Sequence, residues 1–241
     1  MFGWRGRIGI LVPSPNTVME SEFHQMAPKG VAIVTSRMRF PSVTADGIIE
    51  MEREVERAAR DVADAGVDLI VFGCTIASLY HGAGYDVDLE KKIEAAAHVG
   101  VITTAHAVRK ALGALGISEI AVATPYPEDM NQRERDFLEQ AGFSVRNVKG
   151  LGYDKIRYSG MEFSERVYRF AKATAGETTC DGLFISCTDI RTIDVIALLE
   201  ADLGKPVVSS NQASMWLALE KLGIRVRMPE YGRLMSQSWD Y

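Results

Sequence analysis

The chain of 241 residues carries 27 Lys and Arg against 32 Asp and Glu, a formal net charge of −5, and 47% of its residues are hydrophobic. This composition excludes disordered and fibrous proteins, and the interleaved charges leave no basic face for a nucleic-acid partner. No apolar run reaches the roughly 18 residues of a membrane span, and residues 1–7 are too short and too charged to begin a signal peptide. We therefore expect a cytoplasmic protein with no membrane partner.

The predicted elements alternate between short apolar strands and amphipathic helices along the whole chain. Apolar runs without polar alternation are typical of parallel strands that helices cover on both faces. In the first half, strands are predicted at 7–12, 31–34, 67–72 and 101–102, with a helix at 48–65. In the second half, strands are predicted at 119–123, 143–148 and 207–208 and between Cys180 and Cys187, with helices at 128–141, 164–175 and 193–203. This order predicts parallel sheets with right-handed crossovers.

The two halves also repeat each other in sequence. Three residue pairs of the first and fifth strand segments are separated by the same 112 positions, and two Cys-Thr pairs further along by 113: Ile8 and Ile120, Pro13 and Pro125, Pro15 and Pro127, then Cys74-Thr75 and Cys187-Thr188. Duplication of one unit is the simplest account. The fold class is therefore α/β, with two similar doubly wound parallel-sheet domains related by a pseudo-twofold axis and an active site in the cleft between them. We place the N-terminal domain at 1–105, completed by the C-terminal segment 212–241, and the second domain at 106–211.

Small polar side chains follow the predicted strands, where ligands bind in folds of this type. They include Ser14, Asn16, Thr75, Tyr126 and Thr188. Hydroxyl and amide groups, together with backbone N–H donors at helix starts, can hold a carboxylate without an Arg or Lys. Asn16 has an alternative role as a helix cap, and Tyr126 as a packing residue.

Cys74 and Cys187 occupy equivalent strand ends of the two copies, so the pseudo-twofold axis would bring both thiols toward one cleft. We expect a nearby helix N-terminus to lower the pKa of a thiol, which could then act as nucleophile or base while the opposite thiol donates a proton. A single buried cysteine is usually a packing residue, but two duplicated Cys-Thr pairs favour function. Cys180 precedes its strand and is assigned a structural role. Since glycine-rich nucleotide loops and metal-ligand spacings are absent from the sequence, we expect no cofactor and no metal.

The opening Val12-Pro-Ser-Pro-Asn-Thr-Val-Met-Glu20, the two Cys-Thr strand ends, Thr124-Pro-Tyr126 and Ser210-Asn-Gln-Ala213 resemble the aspartate/glutamate racemase superfamily, in particular maleate cis-trans isomerases and arylmalonate decarboxylases. The resemblance covers essentially the whole chain. It implies two α/β domains, no cofactor and a small mono- or dicarboxylate substrate. By matching motif it implies Cys74 as nucleophile and Cys187 as the acid/base group. It also implies that Asn16 and Tyr126 contact the carboxylates, and that Thr75 and Thr188 add donors.

The sequence departs from the isomerase pattern in one loop. Those enzymes usually carry an Asn there, but Gly150-Leu-Gly-Tyr-Asp-Lys-Ile-Arg157 has none, and the second half is more similar to the decarboxylase branch. Decarboxylases normally lack the first-domain cysteine, so Cys74 favours chemistry with two thiols. A maleate isomerase is the leading hypothesis. An amino- or hydroxy-acid racemase, a malonate-type decarboxylase that uses Cys187 alone, and a non-catalytic carboxylate-binding protein are the alternatives. A homodimer or higher homo-oligomer is expected.

Overall fold

The computed structural model describes residues 2–236, and its framework is a pair of four-stranded parallel sheets. The first sheet consists of β1 (Gly6–Pro13), β2 (Val31–Met38), β3 (Leu69–Phe72) and β4 (Val101–Thr103), and the second of β5 (Glu119–Thr124), β6 (Ser144–Gly150), β7 (Gly182–Ile185) and β8 (Val207–Ser209). The strand orders are β2-β1-β3-β4 and β6-β5-β7-β8. The same order in both sheets confirms the predicted α/β fold with two similar halves.

Helices connect the strands and cover the sheets. They are α1 (Met19–Met26), α2 (Ala45–Glu52), α3 (Val55–Ala63), α4 (Thr75–Leu79), α5 (Tyr85–Ala97), α6 (Thr104–Ala114), α7 (Glu128–Gln140), α8 (Ile156–Gly160), α9 (Ser164–Gly176), α10 (Ile196–Leu203), α11 (Ser210–Lys221) and α12 (Arg233–Ser236). Strands β3 and β7 are buried along their whole length, as the unbroken apolar runs predict. None of the helices within residues 2–236 has the length and apolar character needed to cross a bilayer.

Two predicted helices differ from the observed ones. The helix predicted at 48–65 is divided into α2 and α3, so that each part buries its own apolar residues against the core. The helix predicted at 193–203 begins later, as α10 at Ile196, and the N–H groups of Thr192 and Ile193 before it donate to the Glu22 carboxylate at 2.6 and 3.2 Å. A side chain distant in sequence therefore binds the backbone donors that precede this helix.

The two sheets meet through α6 and α11, which pack against each other. Helix α11 also contacts β3 and β4 of the first sheet and β8 of the second. Its N-terminus is fixed by Ser209, whose hydroxyl accepts the Gln212 N–H while the Gln212 side chain accepts the Ser209 N–H. The domain boundaries given above remain predictions, and the end of the predicted segment 212–241 lies outside the described residues.

Candidate active site

The two duplicated thiols follow the central strands of the two sheets. Cys74 comes after β3 and directly precedes α4, while Cys187 comes after β7. Both cysteines are unpaired and buried, with 3% and 4% of their surface exposed. A charge on Cys74 raises the pKa of Cys187, so the structure brings the two predicted catalytic residues within electrostatic range of each other.

Burial has the largest effect on the pKa of Cys74. It raises the pKa of this thiol to about 12, and the hydrogen bond from the Ala77 N–H only partly offsets the rise. The expectation that the helix N-terminus lowers this pKa is therefore wrong for the net effect. The following helix α4 has only five residues, and the effect of its Ala77 N–H is smaller than that of the loss of solvent around the thiolate.

Cys187 has an unusual backbone conformation. Its φ of 99° lies in the region that favours glycine, which for a side-chain-bearing residue costs about 1–3 kcal/mol and is typical of functional sites. The Cys187 N–H donates to Ser210 Oγ at 3.1 Å, and its sulfur accepts the Asp189 N–H at 3.4 Å. Burial, followed by the negative charge of Asp189, raises the pKa of Cys187, while the Asp189 N–H and the Tyr126 hydroxyl lower it. At neutral pH both thiols are therefore protonated.

Hydroxyl and amide groups connect the two sheets around the thiols. Thr75 Oγ1 donates to Ser210 Oγ at 2.9 Å, and Thr188 Oγ1 donates to the Gly73 carbonyl at 3.0 Å. Asn16 Nδ2 donates to Thr188 Oγ1 at 3.0 Å. Each of the two threonines thus bonds to an element beyond its own strand end, and the strand ends of the two halves are joined.

Asn16 bonds both to the start of α1 and to the second half of the chain, and its contact with a carboxylate stays a prediction. Its Oδ1 accepts the N–H groups of Val18, the N-cap residue of α1, and of Met19, its first residue, at 3.1 and 3.0 Å, while its amide nitrogen bonds to Thr188. Ser14 is placed differently, because its side chain is exposed and its Oγ accepts the Phe40 N–H at 3.2 Å. Its role in substrate binding stays a prediction without a bond to the other predicted site residues.

Tyr126 is buried beside the thiols, with 2% of its surface exposed. Burial, and then the charges of Cys187, Glu134 and Cys74, raises its pKa well above the ordinary value. The hydroxyl therefore keeps its proton and donates to the Cys187 sulfur. A phenol in this state is a hydrogen-bond donor for an anion formed at the site.

Sequence reasoning missed three buried carboxyl groups near the site. Asp189 follows Cys187 by two residues, Glu134 accepts the Ser186 hydroxyl at 2.5 Å, and Glu22 accepts Asn211 Nδ2 at 2.7 Å. Burial raises their pKa values, to about 7 for Asp189 and Glu22 and about 8 for Glu134. Only Asp189 had a signal in the sequence, since the duplication places it opposite the apolar Ile76.

The donors around the thiols suit a carboxylate rather than a metal ion. Within the described part of the chain, no group of three or more His, Cys, Asp or Glu side chains is arranged to hold a metal. The hydroxyl, amide and backbone N–H groups are neutral, and the hydrogen bonds described above hold them in place. Such preorganised donors stabilise negative charge that develops on a bound acid.

The fold and the site define a two-sheet α/β protein with paired, buried cysteines at equivalent strand ends. The profile of the arylmalonate decarboxylase (Amdase) family matches residues 8–235, and the chain belongs to this family.

Relatives with two different activities are similar over almost the full length. Maleate isomerase of Pseudomonas putida is 27% identical over 97% of this chain and 98% of its own, and arylmalonate decarboxylase of Bordetella bronchiseptica is 28% identical over 96% and 97%. A cysteine-to-serine mutant of Nocardia farcinica maleate cis-trans isomerase, solved with a covalently bound succinylcysteine intermediate, superposes with a TM-score of 0.90. It is 26% identical and covers 97% of this chain and 99% of that chain. These matches support the predicted superfamily.

Proposed function

We propose that this protein is a cofactor-independent isomerase that converts maleate to fumarate through Cys74 and Cys187. The observation that carries the proposal is the pair of buried thiols at equivalent strand ends, surrounded by neutral hydrogen-bond donors. The similarity to maleate isomerases over nearly the full chain supports the same activity.

In the proposed reaction, the Cys74 sulfur forms a bond to one olefinic carbon of maleate. The π electron pair moves toward the adjacent carboxylate as an enolate, and Cys187 transfers its proton to the neighbouring carbon while taking up the proton that Cys74 releases. The resulting succinyl adduct has a single carbon–carbon bond and can rotate. Reversal of the same transfers then breaks the carbon–sulfur bond and releases fumarate, so that both thiols return to their starting state.

The remaining site residues stabilise charge in this reaction. Tyr126 donates to Cys187 and is suited to bind an enolate or carboxylate oxygen, because its own proton is firmly held. Thr75 and Thr188, with the backbone N–H groups that follow the thiols, would bind one carboxylate each. Asn16 would contact a carboxylate through the amide that now donates to Thr188.

The test is proton NMR of the purified protein with maleate in D2O, beside Cys74→Ala and Cys187→Ala variants. We expect fumarate with the wild-type protein and loss of at least about a thousandfold in rate for either variant, as for removal of a covalent nucleophile or its proton donor. Maleate left unchanged by the wild-type protein would contradict the proposal.

Decarboxylation of a malonate-type acid is the second candidate, because the family profile carries the decarboxylase name and a decarboxylase is 28% identical. In that reaction Cys187 alone would protonate the enolate left after loss of CO2. A Cys74→Ala variant that retains full turnover of an arylmalonate would favour it. Deuterium incorporation at the α-carbon of aspartate or glutamate would instead indicate a racemase.

A further inference from the structure

The duplicated thiols differ most in the residue two positions after each cysteine. The first copy reads Cys74-Thr-Ile76, and the second reads Cys187-Thr-Asp189. Ile76 is buried and apolar, with 1% of its surface exposed, whereas Asp189 places a carboxyl group in the equivalent position with no exposed surface. The duplication therefore supplies two similar thiols, and the difference between Ile76 and Asp189 places a carboxyl group near only one of them.

Contacts from several elements fix the Asp189 side chain. Its Oδ1 accepts the Thr17 and Val18 N–H groups at 2.7 and 3.1 Å, and its own N–H donates to the Cys187 sulfur. Within the described residues, Oδ2 is buried and has no hydrogen-bond partner. A Cβ atom on Gly160 of α8 would lie 2.9 Å from both carboxyl oxygens, so the carboxyl lies close to that helix.

The groups that face Asp189 decide when it is charged. Burial raises its pKa to about 7, while the N–H groups of Thr17 and Val18, the Thr17 hydroxyl and the positive charge of Arg37 on β2 favour the carboxylate. Arg37 is 43% exposed, pairs with Glu20 at 2.9 Å, and also donates to the Asn16 carbonyl at 2.7 Å. Asp189 therefore changes its charge within the range of neutral pH.

The backbone reinforces the difference between the thiols. Cys74 is followed at once by α4, and the Ala77 N–H of that helix lowers the pKa of its thiol. No helix follows Cys187 until α10 begins at Ile196. A thiolate on Cys74 thus meets a backbone donor and an apolar neighbour. A thiolate on Cys187 meets the Asp189 N–H and the Tyr126 hydroxyl as donors, and in addition the negative charge of the Asp189 carboxylate.

We propose that Asp189 is a positioning residue that makes the two thiols inequivalent: its buried carboxylate opposes ionisation of Cys187, which holds that thiol in the proton-donating form and leaves Cys74 to form the covalent bond. The assignment of donor and nucleophile rests on the proposed function. The effect of Asp189 on the Cys187 thiol does not depend on it.

The experiment measures the ionisation of Cys187 directly. The chain has three cysteines, so a Cys74→Ala, Cys180→Ala background retains Cys187 as the single thiol. The rate of its alkylation by iodoacetamide, a small neutral reagent, is followed by mass spectrometry across pH, with and without Asp189→Asn. The asparagine has the same shape and keeps the Oδ1 acceptor for Thr17 and Val18. Asp194→Asn is the matched control, because Asp194 is exposed on the same loop and loses the same charge.

We expect the Asp189→Asn protein to react about tenfold faster than the background at pH about 8.5, because the repelling charge is gone. At pH about 5.5 the two rates should agree within about twofold, since Asp189 then carries its proton. A purely structural effect of the substitution would change the rate at every pH. Equal alkylation rates at all pH values, or a rate difference that does not depend on pH, would overturn the proposal. The same rate difference for Asp194→Asn would also overturn it.

A second variant tests the same charge if Asp189→Asn fails to fold. Arg37→Gln removes the cation that favours the Asp189 carboxylate, so the pH at which Asp189 begins to slow alkylation should rise, and an unchanged profile would contradict the proposal. These measurements contain no substrate. If the pH-dependent difference in alkylation rate is found but the wild-type protein does not isomerise maleate, only the proposed function is refuted. If maleate is isomerised but the rate difference is absent, only the role of Asp189 is refuted.

Discussion

Glu134 offers a sharp test of the buried electrostatics, because its side chain has no exposed surface. One carboxyl oxygen accepts the Ser186 hydroxyl at 2.5 Å, and the other is buried without a hydrogen-bond partner in the described residues. Burial raises its pKa from 4.5 to about 8, against the lowering effect of Ser186. The folded protein therefore binds this proton more tightly than the unfolded chain does.

The sign of the pH effect follows from that difference. Below pH 4.5 both states are protonated, and the full stability is present; between 4.5 and about 8 the unfolded chain loses the proton first, so stability falls as pH rises. The rise in pKa from 4.5 to about 8 corresponds to about 5 kcal/mol in the free energy of unfolding, at about 1.36 kcal/mol for each tenfold change in proton affinity. About 3 kcal/mol of it falls between pH about 5.5 and about 8.5.

The perturbation is Glu134→Gln, measured by urea unfolding at these two pH values. The glutamine amide of the variant still accepts the Ser186 hydrogen bond but does not titrate. The free energy of unfolding of the wild-type protein should therefore fall by about 3 kcal/mol more than that of the variant as pH rises. Glu22 and Asp189 titrate in both proteins, and their contributions cancel in the comparison. An unpaired amide group in the variant lowers stability equally at both pH values.

The control is Glu139→Gln on the same helix, where an exposed Glu139 pairs with Arg135 at 3.3 Å. This variant should follow the pH dependence of the wild-type protein. If Glu134→Gln also follows it, the Glu134 carboxyl does not hold a proton in the folded protein, and the reasoning from burial is refuted.

Three further variants test the packing of the site. Gly160→Ala should destabilise the protein by about 1–3 kcal/mol in urea unfolding, because the added Cβ would lie 2.6 Å from Thr17 Oγ1 and 2.9 Å from the Asp189 oxygens; unchanged stability would mean that α8 does not press on this carboxyl. Asn16→Ala should lower the free energy of unfolding by about 1–2 kcal/mol through the two lost hydrogen bonds at the start of α1, and should lower kcat/KM for maleate at least about tenfold. A loss of stability without a loss of turnover would limit its role to these structural bonds. Cys180→Ala should leave turnover within about twofold in the same assay, because Cys180 lies before β7, and a larger loss would contradict its structural assignment.

The sequence predicts the sheets and the thiols well because both depend on local or duplicated patterns. Apolar runs mark the eight strands, and the repeat pairs Cys74 with Cys187. The direction of the Cys74 pKa was predicted wrongly, since burial of a thiol depends on the packing of both halves. The bonds from Thr192 and Ile193 to Glu22 join residues 170 and 171 positions apart, and no local pattern signals them.

Those long-range bonds explain how the second copy can depart from the first. The segment after Cys187 has no immediate helix and contains a strained backbone at Cys187, features that would weaken an isolated domain. Hydrogen bonds from the first half stabilise this segment instead. The Thr17 and Val18 N–H groups donate to Asp189, and the Glu22 carboxylate accepts the Thr192 N–H. The geometry of the second thiol is therefore a property of the joined halves, which permits a charged residue beside Cys187 where the first copy keeps an isoleucine.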